Sequence, residues 1–224
     1  MTEQKSGKRI LLRGQAPGFT SRAFGGDPAD HHPTIYLLSP ANAAGRRAAM
    51  LLNPRATFDL AERLRTTGIS LGEAFSFMSS LYFRGKLTYA ATFRKASPDI
   101  PGSLVITPSR GLLRPETTVK LAELTEIVGE RIVADNPKYR DPLERDLRKL
   151  SESIGPRFRV VLLGSIATRK YIPPLLQILG ERLVVPSAFV GMGNMQRGAL
   201  LLRCARERCE LDYIPVALAL AKRS

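Results

Sequence analysis

Three predicted β-strands end in the same chemical way, and this pattern limits the folds open to the chain. Each is a short apolar run, followed first by small hydroxyl or glycine residues and then by arginine or lysine. Ligands of open α/β sheets bind beyond the carboxyl ends of the strands, so we expect the three ends to form one cationic, hydroxyl-rich crevice. The runs and their followers are 34–38 with Ser39, Asn42, Arg46 and Arg47; 104–106 with Thr107, Ser109 and Arg110; and 160–163 with Gly164, Ser165, Arg169 and Lys170.

Helical patterns alternate with these strands, which predicts an α/β fold. We expect a single three-layer domain over residues 34–224, in which helices flank a mostly parallel sheet of four to five strands. Residues 1–33 are polar, basic and rich in Gly and Pro, so they are predicted to be a flexible N-terminal arm. Further strands are predicted at 182–185 and 210–218, and further helices at 118–128, 142–154, 169–179 and 195–206.

The charge balance favours polyanionic partners. Lys and Arg total 34 against 20 Asp and Glu, a net charge of +14, so nucleic acid or a nucleotide is the expected partner, while a protein partner stays open. No apolar stretch approaches the roughly 20 residues of a membrane span. Cys204 and Cys209 are expected to be free thiols, and the protein to be cytoplasmic.

No metal or cofactor is expected. The two histidines, His31 and His32, lie in a segment rich in Gly, Pro and Asp, and no zinc-type spacing is present. Gly191, Gly193 and Gly198 form a GxGxxxxG run, which differs from both the dinucleotide-binding and the P-loop motifs. Two interpretations remain for this run. It is either a tight turn between a strand and a helix, or an anion or base-edge site formed with Asn194, Gln196 and Arg197.

A dense aromatic segment between Leu71 and Phe93 predicts a helix that lies mostly in the core. Tyr82, Arg84, Lys86 and Tyr89 are separate from that core pattern, since they place phenols and cations near one helical turn. They either stack on and neutralise a nucleotide or form a solvated helix edge.

Several motifs follow one another in a recognisable order. They are 81–86 with Tyr89, Ala90 and Phe93; 105–115; and Gly164, Tyr171, Pro186, Gly191, Gly193 and Gln196. This order resembles a small α/β family of uncharacterised bacterial proteins that is itself distantly similar to the peroxide-stress YaaA group and to a domain of archaeosine synthase. The resemblance implies a single α/β domain associated with nucleic acid or nucleobase metabolism. The chain departs from the family after the first strand, where Ser39-Pro40-Ala41-Asn42 replaces a Ser-Cys-Ser-Lys type of opening.

Two functions are compatible with these patterns. The first is a nucleic-acid or nucleotide-binding protein, in which cations contact phosphates, tyrosines stack and amides bind a base. Its candidate ligand-binding residues are Ser39, Asn42, Arg46, Tyr82, Arg84, Lys86, Tyr89, Ser109, Arg110, Ser165, Arg169, Tyr171, Gly191, Gly193, Asn194, Gln196 and Arg197.

The second is an enzyme that acts on a nucleoside or modified base, of the N-glycosidase or base-transfer type. Its candidate catalytic residues are Glu73, Ser109, Ser165 and Lys170. Because no histidine is available to either serine, Lys86 or Lys170 would have to act as the base, although an exposed lysine keeps a pKa near 10.4. The sequence leaves open whether the protein is an enzyme.

Overall fold

The computed structural model describes residues 33–94 and 100–221. The predicted N-terminal arm, apart from Pro33, lies outside the described residues, as do the two histidines. Within the described ranges, no helix has the length and apolar character needed to cross a membrane.

A six-stranded sheet forms the centre of the domain, in the order β4-β3-β1-β6-β7-β8. The four middle strands run parallel, while β4 and β8 pair antiparallel at the two edges. All of β1 is buried, which fits a parallel strand covered on both faces. The strands are β1 (Thr34–Leu38), β3 (Ser103–Ile106), β4 (Leu112–Leu113), β6 (Arg159–Leu163), β7 (Leu183–Pro186) and β8 (Tyr213–Pro215); β2 (Ile69–Ser70) and β5 (Thr118–Val119) pair separately.

Helices cover both faces of the sheet. The connection from β1 leads to β3 on one side, and the connection from β6 leads to β7 on the other side. Because both crossovers are right-handed, their helices lie on opposite faces of the sheet. Accordingly, α3 packs with α7, and α5 packs with α6. The helices are α1 (Arg46–Leu52), α2 (Asp59–Arg65), α3 (Leu71–Phe93), α4 (Leu121–Gly129), α5 (Pro137–Ser153), α6 (Ile172–Leu179), α7 (Asn194–Glu207) and α8 (Val216–Ala221), with short 3-10 helices at Gly180–Arg182 and Ser187–Phe189.

The predicted single α/β domain with a mostly parallel sheet is confirmed. The sheet has six strands instead of the four to five expected, because the two-residue strand β4 adds an antiparallel edge next to β3. The closing segment was predicted wrongly as one strand over 210–218, because strand β8 ends at Pro215 and helix α8 follows at once. The alternating Val, Ala and Leu of α8 fit either secondary structure by pattern, and Ala and Leu favour the helix. The helix predicted over 118–128 begins only at Leu121, since Thr118 and Val119 pair with β2.

Helix α3 is anchored at its start and kinked in the middle. Ser70 and Glu73 form a capping box in which the Ser70 hydroxyl accepts from the Glu73 N–H at 3.1 Å and Glu73 Oε2 accepts from the Ser70 N–H at 3.2 Å. At Ser80 the backbone has φ 51° and ψ −129°, a conformation that a residue with a Cβ rarely adopts and that costs on the order of 1–3 kcal/mol. Such strain persists where surrounding structure enforces it, and the kink lies beside the crevice described below.

Candidate functional site

A crevice opens at the carboxyl ends of β1 and β6, where the chain order of the sheet reverses. From β1 the chain leaves towards β3, and from β6 it leaves towards β7 on the other side. The loops therefore part, which is the position where open α/β sheets bind ligands. A cavity of about 890 Å³ thus lies at the strand ends, where the sequence predicts the site.

Six parts of the chain surround this cavity, which we call the switch crevice. The loop after β1 contributes one wall, α3 contributes side chains on both sides of its kink, the loop after β6 contributes the opposite wall, and the α4–α5 connection closes a further side. Pro108 after β3 and Asn194 at the start of α7 complete the lining. The lining residues are Ser39, Pro40, Ala41, Asn42, Ala43, Ala44, Ser79, Tyr82, Lys86, Pro108, residues 128–134, Ser165, Thr168, Arg169, Lys170, Tyr171 and Asn194.

Lys86 is the most unusual residue of the switch crevice. Its side chain is 1% exposed, and its Nζ donates to the backbone oxygen of Ser39 at 2.7 Å and lies 2.9 Å from Ser39 Oγ. The rings of Tyr82 and Phe83 lie 4.6 Å and 4.7 Å from Nζ. The amine therefore contacts one serine and two aromatic rings at the edge of a ligand-sized cavity.

Burial changes the protonation of this amine. Desolvation lowers the pKa of Lys86 from its ordinary value to about 7, since water no longer stabilises the ammonium form. A substantial fraction of the amine is consequently neutral near neutral pH. The alternative in which Lys86 and Tyr89 form a solvated helix edge is wrong, because both side chains are buried.

Tyr171 forms the neighbouring corner of the crevice. Its hydroxyl accepts from the Ser165 N–H at 3.1 Å and donates to the Ser165 carbonyl at 3.1 Å. Burial raises the pKa of Tyr171 to about 12, while a hydrogen bond with Ser39 opposes the rise. A Cβ at Gly164 would lie 2.9 Å from the Ser39 Cβ and 3.1 Å from the Tyr171 hydroxyl oxygen, so only glycine fits between them.

Cations line the open side of the crevice. Arg131, Arg169 and Lys170 are exposed, and within the described ranges none of them forms a salt bridge. Glu130 also lines the crevice, but its Oε1 is 3.1 Å from the Lys138 ammonium, which lowers the pKa of the Glu130 carboxyl. The opening therefore carries positive charge that no carboxylate of the described chain balances.

About half of the candidates identified from the sequence lie together in the switch crevice. They come from the loops after β1 and β6, from α3 and from the start of α7: Ser39, Asn42, Tyr82, Lys86, Ser165, Arg169, Lys170, Tyr171 and Asn194. The remaining candidates do not line it: Arg46, Glu73, Arg84, Tyr89, Ser109, Arg110, Gly191, Gly193, Gln196 and Arg197.

The loop after β3 contributes less than the sequence pattern suggests. Pro108 lines the crevice, but Arg110 turns to Glu126, with Nε–Oε1 and NH2–Oε2 distances of 3.2 Å and 2.6 Å. Ser109 Oγ donates to the Glu126 carbonyl at 3.3 Å. Helix α4 thus removes both residues from the site, which a local pattern around β3 does not reveal.

Three further candidates have structural partners. Glu73 caps α3 and binds Arg63 at 3.0 Å. Tyr89 is fully buried and cannot stack on a base, since its hydroxyl is 2.7 Å from that of Tyr213. Arg197 is buried and donates to the Phe189 carbonyl at 2.9 Å. Its charge also lies close enough to Tyr82 to oppose the rise in the pKa of that phenol that burial causes.

The pairing of Ser39 with Lys86 was missed by sequence reasoning. One signal for it is present, because Met78, Tyr82 and Lys86 recur every four residues and share the helix face that also carries Tyr89. A lysine on such an apolar face is expected to be buried or to reach a polar partner. The α4–α5 connection, including Arg131, was also missed, and it has no motif that marks it as part of a site.

Comparison of the chain with protein-family models, with curated proteins and with solved structures gave no match.

Proposed function

We propose that the switch crevice binds a nucleotide, either free or as an unstacked nucleotide of a single-stranded nucleic acid. The observation that carries this proposal is the combination of unbalanced cations at the opening with hydroxyl, amide and aromatic groups inside. A nucleotide presents the complementary set, with a charged phosphate next to a sugar and a flat base.

The size of the crevice agrees with such a ligand. Pockets that bind small molecules and cofactors commonly enclose about 300–1,000 Å³, and the switch crevice has about 890 Å³. This volume accommodates a nucleotide together with the water that accompanies its phosphate. A duplex is too wide to enter, so a nucleic acid would have to present a single-stranded end or a base turned out of its stack.

The charges of the opening suit a phosphate. Arg169 and Lys170 are adjacent and exposed, and Arg131 faces the same cavity from the α4–α5 connection. Phosphate contacts of arginine and lysine supply most of the sequence-independent affinity for nucleic acids. The net charge of +14 adds long-range attraction for the same class of ligand.

The interior offers groups for the base and sugar. Tyr82 is partly exposed towards the cavity and presents an aromatic ring, while Asn42 and Asn194 present amides that donate and accept hydrogen bonds. The Asn42 backbone N–H donates to Ser79 Oγ at 2.6 Å, which holds the loop after β1 against α3. Asn42 therefore sits on an anchored loop, while Tyr82 and Asn194 belong to helices α3 and α7.

Fluorescence anisotropy with labelled single- and double-stranded DNA and RNA, at two salt concentrations, tests the proposal. The variant is Arg169→Ala with Lys170→Ala, and the matched control is Arg148→Ala with Lys149→Ala, an exposed Arg-Lys pair on α5 outside the crevice. We expect the first variant to lose about tenfold or more in affinity for single strands, with a shallower dependence on salt. Unlabelled mononucleotides should compete with the bound strand.

The control decides between a site and a general attraction. If both variants lose affinity equally, the binding reflects net charge alone and the crevice is not the site. Preference for duplex over single strands would contradict the proposed entry of one unstacked nucleotide.

A second candidate function, cleavage or transfer of a nucleobase, has less support. Such chemistry uses a carboxylate to position water or stabilise the sugar cation, and Glu73 is occupied at the start of α3. Glu130 is the carboxylate among the lining residues, and it is paired with Lys138. The groups in the crevice that suit catalysis are of a different type.

A further inference from the structure

We propose that Ser39 and Lys86 form a nucleophile and its general base, and that the switch crevice hydrolyses carboxylic esters that carry a phosphate group. This inference rests on the proposed function, because the cationic opening would hold the phosphate of the ester. The reacting pair itself lies deeper, where the loop after β1 meets α3.

The geometry of the pair is that of an activated serine. Ser39 Oγ lies 2.9 Å from Lys86 Nζ, within hydrogen-bond reach of the base that would take its proton. Ser39 follows directly after strand β1, and its backbone N–H donates to the Leu163 carbonyl at 3.3 Å, which fixes its position on the sheet. A lysine can replace histidine as the base of a serine nucleophile when its amine is neutral.

The surroundings of Lys86 favour this role over that of a phosphate-binding cation. Its Nζ lies 4.6 Å and 4.7 Å from the centroids of the Tyr82 and Phe83 rings. Among the described residues no carboxylate forms a salt bridge with it, and desolvation lowers its pKa to about 7. A base with a pKa near the working pH is the most effective one. The apolar corner also suits an uncharged carbonyl carbon better than a phosphoryl group, whose charge would be costly to bury there.

Tyr171 completes the corner. Its side chain lies beside that of Ser39, and burial raises the pKa of its hydroxyl to about 12, so that it stays protonated at neutral pH. The single proton of this hydroxyl, which is donated to the Ser165 carbonyl in the free protein, would turn to the oxygen that becomes negative when a carbonyl is attacked. The Ser165 N–H, which donates to the same hydroxyl oxygen, keeps it in place.

The reaction proceeds through an acyl-enzyme. Ser39 Oγ bonds to the ester carbonyl carbon while its proton moves to Lys86 Nζ. The bond from that carbon to the leaving oxygen then breaks, and Lys86 returns the proton to the departing alkoxide. In the second half, water attacks the acyl carbon, Lys86 takes a proton from the water, and Ser39 leaves with that proton, which regenerates the pair.

An uncharged alkyl fluorophosphonate tests the pair without requiring the natural substrate. Attack by Ser39 Oγ forms an oxygen–phosphorus bond and expels fluoride, while the serine proton moves to Lys86. Mass spectrometry of the full chain and its peptides measures the rate and position of labelling. We expect one adduct at Ser39 in the unaltered protein, a loss of at least a hundredfold in rate in Ser39→Ala and Lys86→Met, and an unchanged rate in Ser109→Ala, which lies outside the crevice.

The pH dependence of labelling supplies a readout that a structural role of Lys86 would not produce. Arg197 of α7 interacts with Tyr82, and the titratable and charged groups that line the crevice with Lys86 are Tyr82 on its own helix, Tyr171, Arg169 and Lys170 after β6, and Glu130 and Arg131 of the α4–α5 connection. Burial raises the pKa of both tyrosines, and the hydrogen bond with Lys138 lowers the pKa of Glu130, so none of these three groups changes charge near pH 7. The labelling rate should therefore rise with pH around a midpoint near 7.

Absence of an adduct at Ser39 in the folded protein at pH 8, or a rate that does not change between pH 5.5 and 8.5, would overturn the inference. Equal labelling of Lys86→Met and the unaltered protein would do the same. These failures are separable from that of nucleotide binding, because anisotropy measures the latter directly. Binding without labelling would contradict the catalytic pair but support the binding site. Labelling without binding would support the pair but contradict a phosphate group in its substrate.

Discussion

Lys86 occupies a position that costs free energy in the folded state. The Lys86 ammonium would be buried with backbone and hydroxyl partners from Ser39, and no carboxylate of the described residues forms a salt bridge with it. This cost favours the neutral amine and so lowers its pKa. An apolar residue of similar length would fill the same space without any desolvation penalty. Strongly shifted pKa values cluster at functional sites. The burial of Lys86 therefore fits the role of general base proposed for it.

The stability of the protein should depend on pH through Lys86. In the unfolded chain the amine keeps its proton up to its ordinary pKa of 10.5, whereas the folded amine loses it at about 7. Between these values the unfolded state binds more protons, so the free energy of unfolding rises with pH, and below pH 7 the full penalty is present. At pH 6 we expect the free energy of unfolding of Lys86→Met to exceed that of the unaltered protein by about 2–3 kcal/mol. Each unit of the pKa shift corresponds to about 1.4 kcal/mol, and the two hydrogen bonds that the variant loses offset part of this gain.

Urea unfolding between pH 6 and 9 measures this effect. The advantage of Lys86→Met should shrink as the pH rises, since the unaltered protein regains stability over that range. Lys149→Met, on the exposed side of α5, serves as the control, and its free energy of unfolding should change with pH as that of the unaltered protein does. A constant difference between Lys86→Met and the unaltered protein at all pH values would mean that the folded amine does not titrate near 7.

At the scale of elements, two glycines allow α3 and α7 to cross closely. A Cβ at Gly85 would lie 2.7 Å from the Gly198 carbonyl oxygen, and a Cβ at Gly198 would lie 2.9 Å from the Tyr82 Cα. These neighbours are backbone atoms, which cannot rotate away. The crossing places Tyr82 and Lys86 against the strand ends, so the helix pair positions one wall of the switch crevice.

Gly198→Ala should therefore destabilise the protein by about 1–3 kcal/mol, because the two helices must separate to admit the methyl group. Chemical denaturation measures the change. Gly155→Ala is the matched control, since within the described residues no atom beyond its two chain neighbours lies within 4 Å of a Cβ at that position, and it should be neutral or stabilising by up to about 1 kcal/mol. Equal stability of both variants would show that the crossing relaxes without cost.

At the scale of the whole molecule, a hydrogen-bond network that runs from the buried Tyr36 and Tyr89 to the exposed Glu210 connects the centre of the sheet with its edge. The Tyr213 hydroxyl of β8 is 2.7 Å from that of Tyr89 on α3 and donates to Glu210 at 2.8 Å. The Tyr36 hydroxyl of β1 donates to the same carboxylate at 2.8 Å. Burial raises the pKa of all three tyrosines well above the ordinary value, so they remain neutral donors that hold the C-terminal segment to the domain.

Removing the central hydroxyl should loosen this connection. Tyr213→Phe removes the hydroxyl contacts with Tyr89 and Glu210, whereas Tyr89 still accepts from the Leu211 N–H and Tyr36 still donates to Glu210. The change is therefore expected to cost about 1 kcal/mol in the free energy of unfolding. Tyr139→Phe is a matched control, because within the described ranges the buried Tyr139 hydroxyl has no hydrogen-bond partner, and this change should be neutral or stabilising. Thermal and urea unfolding of both variants measure the contrast, and a neutral Tyr213→Phe would contradict a stabilising role for the network.

What the sequence determined by itself was the local chemistry of the strand ends. Apolar runs followed by Ser39 and Asn42, and by Ser165, Arg169 and Lys170, predicted both the α/β fold and most of two walls of the crevice. This succeeded because a strand of a parallel sheet and the loop after it are adjacent in sequence and in space. The residues that follow a strand can therefore be assigned to the end of the sheet without knowing which distant residues they contact.

Only the tertiary structure decided which side chains face the crevice and which are drawn away. Ser39 and Lys86 are separated by 47 positions and meet because α3 packs against β1, whereas Arg110 is drawn to Glu126 by α4. Burial, which lowers the pKa of Lys86, likewise depends on elements far along the chain. Contacts of long sequence separation and the desolvation they cause are properties of the packed domain, so no local pattern specifies them.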